Sequence, residues 1–211
     1  MEHELRAVSA LSGVVVPGRL GHTSGIAGVN VREFAPAVLT SIVAFRGKGD
    51  AIAAAFLRDW SIELPLSPRR TAVADMALIW AGPQRWIMSR APIGEVSVLP
   101  RADAVATALD GLAAVVDISA SLTLFEIAGS CVRDALAKGV SLDLHPRSFT
   151  TGDVALTGVG HIPVHLWQVS DAPAYVMAVP RSLAVSYWNW LVHACAEYGL
   201  DVAPAFSRHS T

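Results

Sequence analysis

The predicted strands and helices run in much the same order twice along the chain, and this repetition constrains the fold more than any other feature of the sequence. In the first run, periodicity and turn residues predict strand, helix, strand, strand, helix and strand at 41–46, 51–60, 77–81, 85–89, 103–112 and 113–117. The second run is predicted as a strand at 122–127, a helix at 129–138, strands near 154–157, 162–168 and 174–179, and a long helix at 182–198. Two such units predict an α+β fold of two split βαβ (ferredoxin-like) lobes, with helices on one face of a largely antiparallel sheet.

The same pattern sets the expected domain boundaries. Residues 1–40 read as a loosely patterned N-terminal extension, although a strand is possible within 26–34. Residues 41–199 form the two-lobed domain, with lobes at approximately 41–120 and 121–199, and residues 200–211 form a C-terminal tail. Asp50 is expected to cap the first helix, because it follows two glycines and precedes the helical pattern.

The chain is more apolar than soluble domains usually are. It is 53% hydrophobic and only 16% charged, with a mean hydropathy of +0.45, whereas ordinary domains carry roughly 25% charged residues. A membrane span needs about 18 or more consecutive apolar residues, and the stretches at 72–80 and 172–179 are far shorter. We therefore expect another protein chain to cover part of the apolar surface; the alternative is a well-filled core rich in alanine.

Charge and cysteine content limit the expected class of binding partner and the expected cellular compartment. A net charge of −2 and a pI near 6.4 argue against a nucleic-acid partner, which normally requires a basic patch. Cys131 and Cys195 are too few for a disulfide framework, and both fall in apolar helical patterns, so buried thiols in a reducing compartment are expected. The N-terminal residues have no convincing signal-peptide core, which favours a cytoplasmic protein.

Searches for catalytic loops give only near misses. Residues 21–25 resemble a GxSxG nucleophile elbow but place Thr23 at the central position. The turn at 46–50 could seat an anion, but a plain turn with a helix N-cap is the favoured interpretation, and no GxGxxG dinucleotide loop is present. These patterns predict no catalytic residue and no cofactor-binding residue on this chain.

Histidines and carboxylates do not form a recognisable site either. His161 and His165 lie four apart on a predicted strand, where four residues span about 13 Å, too far for two ligands of one zinc ion. His193 and His145 are more often structural than catalytic in such positions. Asp117 ends a strand that looks buried; it could be a perturbed acid, but bonding its own turn is the commoner role.

The last helix presents one clear apolar stripe. At 100° per residue, its members are Ala184, Tyr187, Trp188, Leu191, Ala194, Cys195 and Tyr198. Trp190 falls on a flank that it shares with Leu183. A flank tryptophan is a possible subunit-interface anchor, and a simple packing role remains the alternative.

Four segments carry a family resemblance: residues 77–89 (ALIWAGPQRWIMS), 114–122 (AVVDISASL), 137–149 (AKGVSLDLHPRSF) and 182–199 (SLAVSYWNWLVHACAEYG). Together they resemble the gamma subunit family of heterotetrameric sarcosine oxidase. The resemblance covers roughly residues 70 to 200, and its most specific part is the run at 138–149. It implies a lobe arrangement similar to the folate-binding aminomethyltransferase fold.

The resemblance also implies a context. Such complexes oxidise the N-methyl group of sarcosine to give glycine, peroxide and a one-carbon unit for tetrahydrofolate. FAD, FMN, NAD, tetrahydrofolate and zinc are expected on the other subunits, with none on this chain, and the expected partners are the alpha, beta and delta subunits. The family offers no catalytic residue to carry over. Many relatives place a basic residue after the Asp-x-Ser turn, whereas this chain has Ala120, Ser121 and Leu122.

The run at 138–149 can also be interpreted from its residues alone. Pro146 keeps His145 out of the helical region, so an extended rigid loop is expected, with Asp143, His145 and Arg147 alternating outward. The loop could be tied by its own hydrogen bonds, or it could dock on a larger subunit.

The leading hypothesis is therefore a non-catalytic structural subunit of a sarcosine oxidase complex. The main alternative is an autonomous folate-binding, aminomethyltransferase-like protein, and a third is a stand-alone cytosolic binding protein.

Overall fold

The computed structural model describes residues 8–34, 38–90 and 102–204. Parts of the predicted N-terminal extension and C-terminal tail, at 1–7, 35–37 and 205–211, lie outside the described residues. Among the described helices, none has the length and apolar character needed to cross a membrane.

The elements follow the predicted order. The first are β1 (Gly18–Leu20), β2 (Val29–Phe34), β3 (Val38–Ala44), α1 (Gly49–Trp60), β4 (Arg70–Val73), β5 (Met76–Gly82), β6 (Arg85–Arg90), α2 (Ala102–Ala108) and β7 (Ala113–Asp117). The rest are β8 (Leu122–Ala128), α3 (Val132–Ala137), β9 (Val154–Val159), β10 (Ile162–Ser170), β11 (Ala174–Pro180), α4 (Ala184–Cys195), preceded by a single 3-10 turn, and β12 (Leu200–Val202).

Two sheets confirm the α+β fold with split βαβ connections. The five-stranded sheet has the order β4-β5-β6-β3-β7, and the seven-stranded sheet has the order β1-β12-β2-β8-β11-β10-β9. In the five-stranded sheet β3 pairs with β6, and in the seven-stranded sheet β8 pairs with β11. In each lobe, the first strand of the first βαβ unit thus pairs with the first strand of the second unit. All pairs are antiparallel except β12 with β2.

Side-chain alternation along the strands builds a four-layer arrangement. Leu78 and Met88 face α1 and α2, whereas Ile79 and Ile87 face the other sheet. In the second sheet, Phe125 faces α3 and α4 while its neighbour Leu124 faces the first sheet. The two sheets therefore pack on each other, and each carries its helices on its outer face.

Segments that the sequence assigned outside the lobes contribute three strands of the seven-stranded sheet. β1 and β2 lie within the predicted N-terminal extension, where β2 confirms the strand considered within 26–34, and β12 begins the predicted C-terminal tail. β2 lies between β12 and β8 and pairs with both. The proposed lobe boundary at residue 120 stays a prediction.

Three local predictions were wrong. Asp50 does not cap α1, because Lys48 occupies the N-cap position and Asp50 lies in the first turn. The helix predicted at 103–112 ends at Ala108 and gives way to a turn. β7 looked buried because it is apolar, but it is an edge strand and Val116 is 55% exposed.

Candidate functional site

The Gly-rich loop that resembled a nucleophile elbow is a connection packed against α4. His22 N donates to the Ala196 carbonyl at 2.8 Å, and Arg19 Nε donates to the His22 carbonyl at 2.8 Å. Gly21 lies against the Ala196 backbone, where a Cβ would have no room. Thr23 is exposed, and no strand leads directly into a helix here, so the geometry of a nucleophile elbow is missing.

His161 and His165 are separated along extended backbone, as the strand prediction implied. His161 is in the turn before β10 and His165 is on that strand, where burial lowers its pKa. Within the described residues, no group of three His, Cys, Asp or Glu side chains could hold a metal ion. His193 is exposed and its Nδ1 contacts the Asn189 carbonyl one turn earlier at 2.6 Å.

Asp117 bonds its own turn, the commoner of its two expected roles. The Ser119 backbone N–H donates to Asp117 Oδ1 at 2.8 Å, and Ser119 Oγ accepts from Leu39 N at 2.8 Å. Hydrogen bonds from the side chain and then the backbone of Ser119 lower the Asp117 pKa. A carboxyl group that is stabilised as the anion and exposed is a poor general acid at neutral pH.

The other motifs also have structural roles. The turn at 46–50 positions Gly49 against the Gln84 side chain, and Gly47 adopts a φ of 75°. Cys195 is buried, and burial raises the pKa of its thiol to about 12. Cys131 is half-buried rather than fully buried. Both thiols are free, as expected for a chain without a disulfide framework.

The loop that contains Asp143, His145 and Arg147 is tied together by its own hydrogen bonds. The Asp143 carboxylate accepts from His145 N at 2.9 Å and from Ser148 Oγ at 2.7 Å, and these two bonds lower its pKa. Arg147 N donates to His145 Nδ1 at 3.2 Å. Phe149 N reaches back to the His145 carbonyl at 2.9 Å. The loop is therefore a tight turn after residue 144 rather than the extended run that the sequence predicted.

That turn exposes three polar side chains, while two of its hydrophobic side chains are buried. Asp143, His145 and Arg147 are exposed, while Leu144 and Phe149 are buried in the core that contains α3 and α4. Because Asp143 and His145 bond within the turn, the guanidinium of Arg147 is the group that projects without a side-chain partner among the described residues.

The last helix packs as its stripe predicted. Ala184, Tyr187, Trp188, Leu191, Ala194 and Cys195 are buried and Tyr198 is half-buried. Trp190 and Leu183 are half-buried and pack on the edge of the same core. The Trp190 indole lies over Gly139, where a Cβ would come within 2.6 Å of the ring, and its centroid is 5.8 Å from that of Tyr187. Trp190 therefore has packing contacts within this chain; a role in a subunit interface stays a prediction.

Sequence reasoning missed a polar cavity at the start of α3. Its volume is about 380 Å³, and its walls include Arg133, Phe149, Thr151, Gln168 and Asp171. Arg133 contacts residues 11 and 42 positions away in the chain, so no local spacing could have revealed the cluster. The sequence offered only the adjacent charges Arg133 and Asp134 within a short helical pattern.

Comparison with known proteins gives consistent results. Residues 46–197 match the model of the "Sarcosine oxidase, gamma subunit family". The chain is 28% identical over 182 residues to the sarcosine oxidase subunit gamma of Corynebacterium sp. (strain P-1), covering 86% of each chain.

Two solved structures extend the comparison. A chain of the heterotetrameric sarcosine oxidase from Corynebacterium sp. U-96, in complex with pyrrole 2-carboxylate, matches with a TM-score of 0.71 and 26% identity, over 83% of this chain and 87% of that one. The glycine cleavage system aminomethyltransferase T from Bartonella henselae matches with a TM-score of 0.59 and 9% identity, over 84% of this chain and 48% of that one. The second match concerns the fold alone, and it confirms the predicted likeness to the aminomethyltransferase fold. With 152 of its 211 residues inside the family model and near-complete overlap with a curated relative, this chain belongs to the sarcosine oxidase gamma subunit family.

Proposed function

We propose that this chain is the gamma subunit of a heterotetrameric sarcosine oxidase and contributes structure rather than catalytic groups to it. The observation that carries the proposal is the overlap with the heterotetrameric oxidase, which extends over 83% of this chain and 87% of the matched chain. A match of this extent relates whole chains, not a shared module. In the assembly, alpha, beta and delta subunits are the partners, and FAD, FMN, NAD, tetrahydrofolate and zinc are bound by those subunits.

The state of the titratable groups supports a structural role. Asp117 and Asp143 are held as anions by hydrogen bonds within their own turns. Burial disfavours the cationic form of His165, and His145, which lies beside Asp143, belongs to the same exposed turn rather than to an enclosed site. A catalytic role would require a positioned pair of such groups near a substrate.

Two surfaces are proposed to dock on the larger subunits. One is the turn with Asp143, His145 and Arg147, where a partner carboxylate would pair with the free guanidinium of Arg147. The other is the exposed edge of Trp190 with Leu183. Half-buried aromatic residues and arginines are enriched among the residues that dominate binding energy at interfaces.

Co-expression tests the proposal. The tagged chain is expressed with the three candidate partner subunits, and sarcosine-dependent peroxide formation is measured in the purified assembly. We expect this chain to co-purify with flavin-containing subunits, and Arg147→Glu to reduce the recovered complex while the matched change Arg46→Glu, on the exposed turn before α1, leaves it intact. Trp190→Ala should also reduce recovery without loss of the circular dichroism spectrum.

Two results would contradict the proposal. In one, the chain purifies as a monomer in the presence of the flavoprotein subunits and binds tetrahydrofolate tightly by itself, as the autonomous folate-binding alternative requires. In the other, Asp117→Asn or His165→Gln lowers kcat of an intact complex by about a hundredfold or more, which would assign chemistry to this chain.

A further inference from the structure

The polar cavity at the start of α3 has the features of a ligand site. Its volume of about 380 Å³ lies within the range of about 300–1,000 Å³ typical of small-molecule pockets. Phe149 supplies an apolar wall from the turn that follows Asp143, Thr151 lies in the loop before β9, and Asp171 lies in the turn after β10. The cavity therefore joins one apolar surface to several polar groups.

Arg133 brings a fixed and uncompensated positive charge to this cavity. Its Nε donates to the Leu144 carbonyl at 3.1 Å and to Tyr175 Oη at 2.9 Å, and these two bonds fix the guanidinium plane. Burial raises the pKa of Tyr175, so the phenol stays neutral and does not balance the charge. Among the described residues, no carboxylate lies within 4.0 Å of Arg133. The free edge of a fixed guanidinium suits a ligand carboxylate.

Asp171 brings the complementary negative charge. Its Oδ1 accepts from Thr151 Oγ1 at 2.7 Å and from Gln168 Nε2 at 3.5 Å, and the carboxylate is exposed at the cavity. Gln168 is only 1% exposed, and its Nε2 also donates to the Ser170 carbonyl at 3.0 Å, so the amide helps to hold the carboxylate in place. Among the described residues, Asp171 has no cationic partner within 4.0 Å.

We propose that this cavity binds a small zwitterionic α-amino acid. Its carboxylate pairs with the guanidinium of Arg133, and its ammonium pairs with the exposed carboxylate of Asp171. Opposite charges that are not paired with each other in the protein match a ligand that carries both charges. The inference does not depend on the proposed function, because it uses only the contacts and charges of this cavity.

Nuclear magnetic resonance of the full ¹⁵N-labelled chain tests the proposal with three matched probes. Glycine carries both charges, acetate only the carboxylate, and methylammonium only the cation. We expect glycine to shift the side-chain amide resonance of Gln168 and the backbone resonance of Thr151 along one saturable curve. Acetate and methylammonium should each bind about tenfold more weakly or worse, because each satisfies half of the site.

Two variants separate recognition from folding. Asp171→Asn keeps the shape of the side chain and should lower glycine affinity about tenfold without weakening acetate. Arg133→Met should abolish the glycine response, whereas Arg147→Met, an exposed arginine outside the cavity, should leave it unchanged. The proposal is overturned if glycine gives no saturable shift at concentrations up to roughly 10 mM, since a ligand of this size can be expected to bind at about 1 mM. It is also overturned if acetate binds as tightly as glycine, or if Asp171→Asn binds glycine like the unaltered chain.

Discussion

The contact between Trp190 and Gly139 gives the sharpest prediction about this fold. An ideal Cβ on Gly139 would lie 2.6 Å from Trp190 Cζ2 and 2.7 Å from both Cε2 and Nε1, and these are the three nearest atoms. Ordinary van der Waals contact begins at 3.4 Å, so in Gly139→Ala the indole must retreat by about 0.8 Å. Added volume in a packed site costs about 1–3 kcal/mol, so we expect Gly139→Ala to lower the free energy of unfolding by that amount.

Gly139→Ala should raise the free energy of unfolding, rather than lower it, when the indole ring of Trp190 is absent. Trp190→Ala alone should cost about 2 kcal/mol, roughly half the value for a fully buried large aromatic residue, because Trp190 is half-buried. In that background the methyl group added by Gly139→Ala has space, and the loss of glycine's freedom in the unfolded chain should stabilise the protein by about 0.4–1 kcal/mol.

Urea unfolding of the four proteins in this double-mutant cycle measures the coupling, expected at about 1.5–4 kcal/mol. Equal costs of Gly139→Ala with and without Trp190 would refute the contact. Trp190 would then not pack against Gly139 after α3, and this result would favour a role for Trp190 in a subunit interface alone.

Three further perturbations test the core and its charges. Asp75→Ala should lower the free energy of unfolding by about 3–5 kcal/mol, because it removes one partner of an ion pair whose side chains are both only 4% exposed. A change under about 1 kcal/mol in urea unfolding would argue against the buried pair. In the native protein a thiol reagent at pH 8 should modify Cys131 but not Cys195, because Cys195 is buried and its pKa is raised to about 12. Cys195 should react only after unfolding. Rapid modification of both thiols in the native protein would contradict the burial of Cys195. Burial lowers the pKa of His165 in the folded chain, so the unfolded state takes up a proton first as the pH falls. The free energy of unfolding should therefore decrease as the pH drops from about 7 towards 5. His165→Gln should flatten that pH dependence, and an unchanged slope would contradict the burial of His165.

The parts of the fold that could be predicted are those with a local signal. The β5–β6 hairpin follows from two apolar runs around Gly82 and Pro83, where Gln84 takes a φ of 59°. The buried face of α4 follows from its 3.6-residue period. In both cases the residues that decide the structure are neighbours in the chain.

The features that could not be predicted depend on distant partners. A strand within 26–34 was considered from the sequence, but the position of β2 between β12 and β8 is set by residues about 170 and 95 positions away. β7 has the composition of a buried strand, but among the described residues no further strand pairs beyond it. The order of strands within a sheet is therefore not contained in periodicity alone.

The candidate cavity illustrates the same limit for function. Arg133, Gln168 and Asp171 come from a helix, a strand and a turn, and none belongs to a recognisable motif. The turn with Asp143, His145 and Arg147 was predicted to present its polar groups outward, and its side chains do so. Its tight geometry was missed because the bonds from Asp143 to His145 and Ser148 outweigh the preference for extended backbone before Pro146.

Native mass spectrometry of the tagged chain, purified from cells that also express the candidate partner subunits, tests the central claim most directly. The account predicts one particle that contains a single copy of this 22.3 kDa chain together with one copy of each of three different subunits and bound flavin. Recovery of the chain as a free 22.3 kDa monomer, with the flavoprotein subunits assembled without it, would contradict the account.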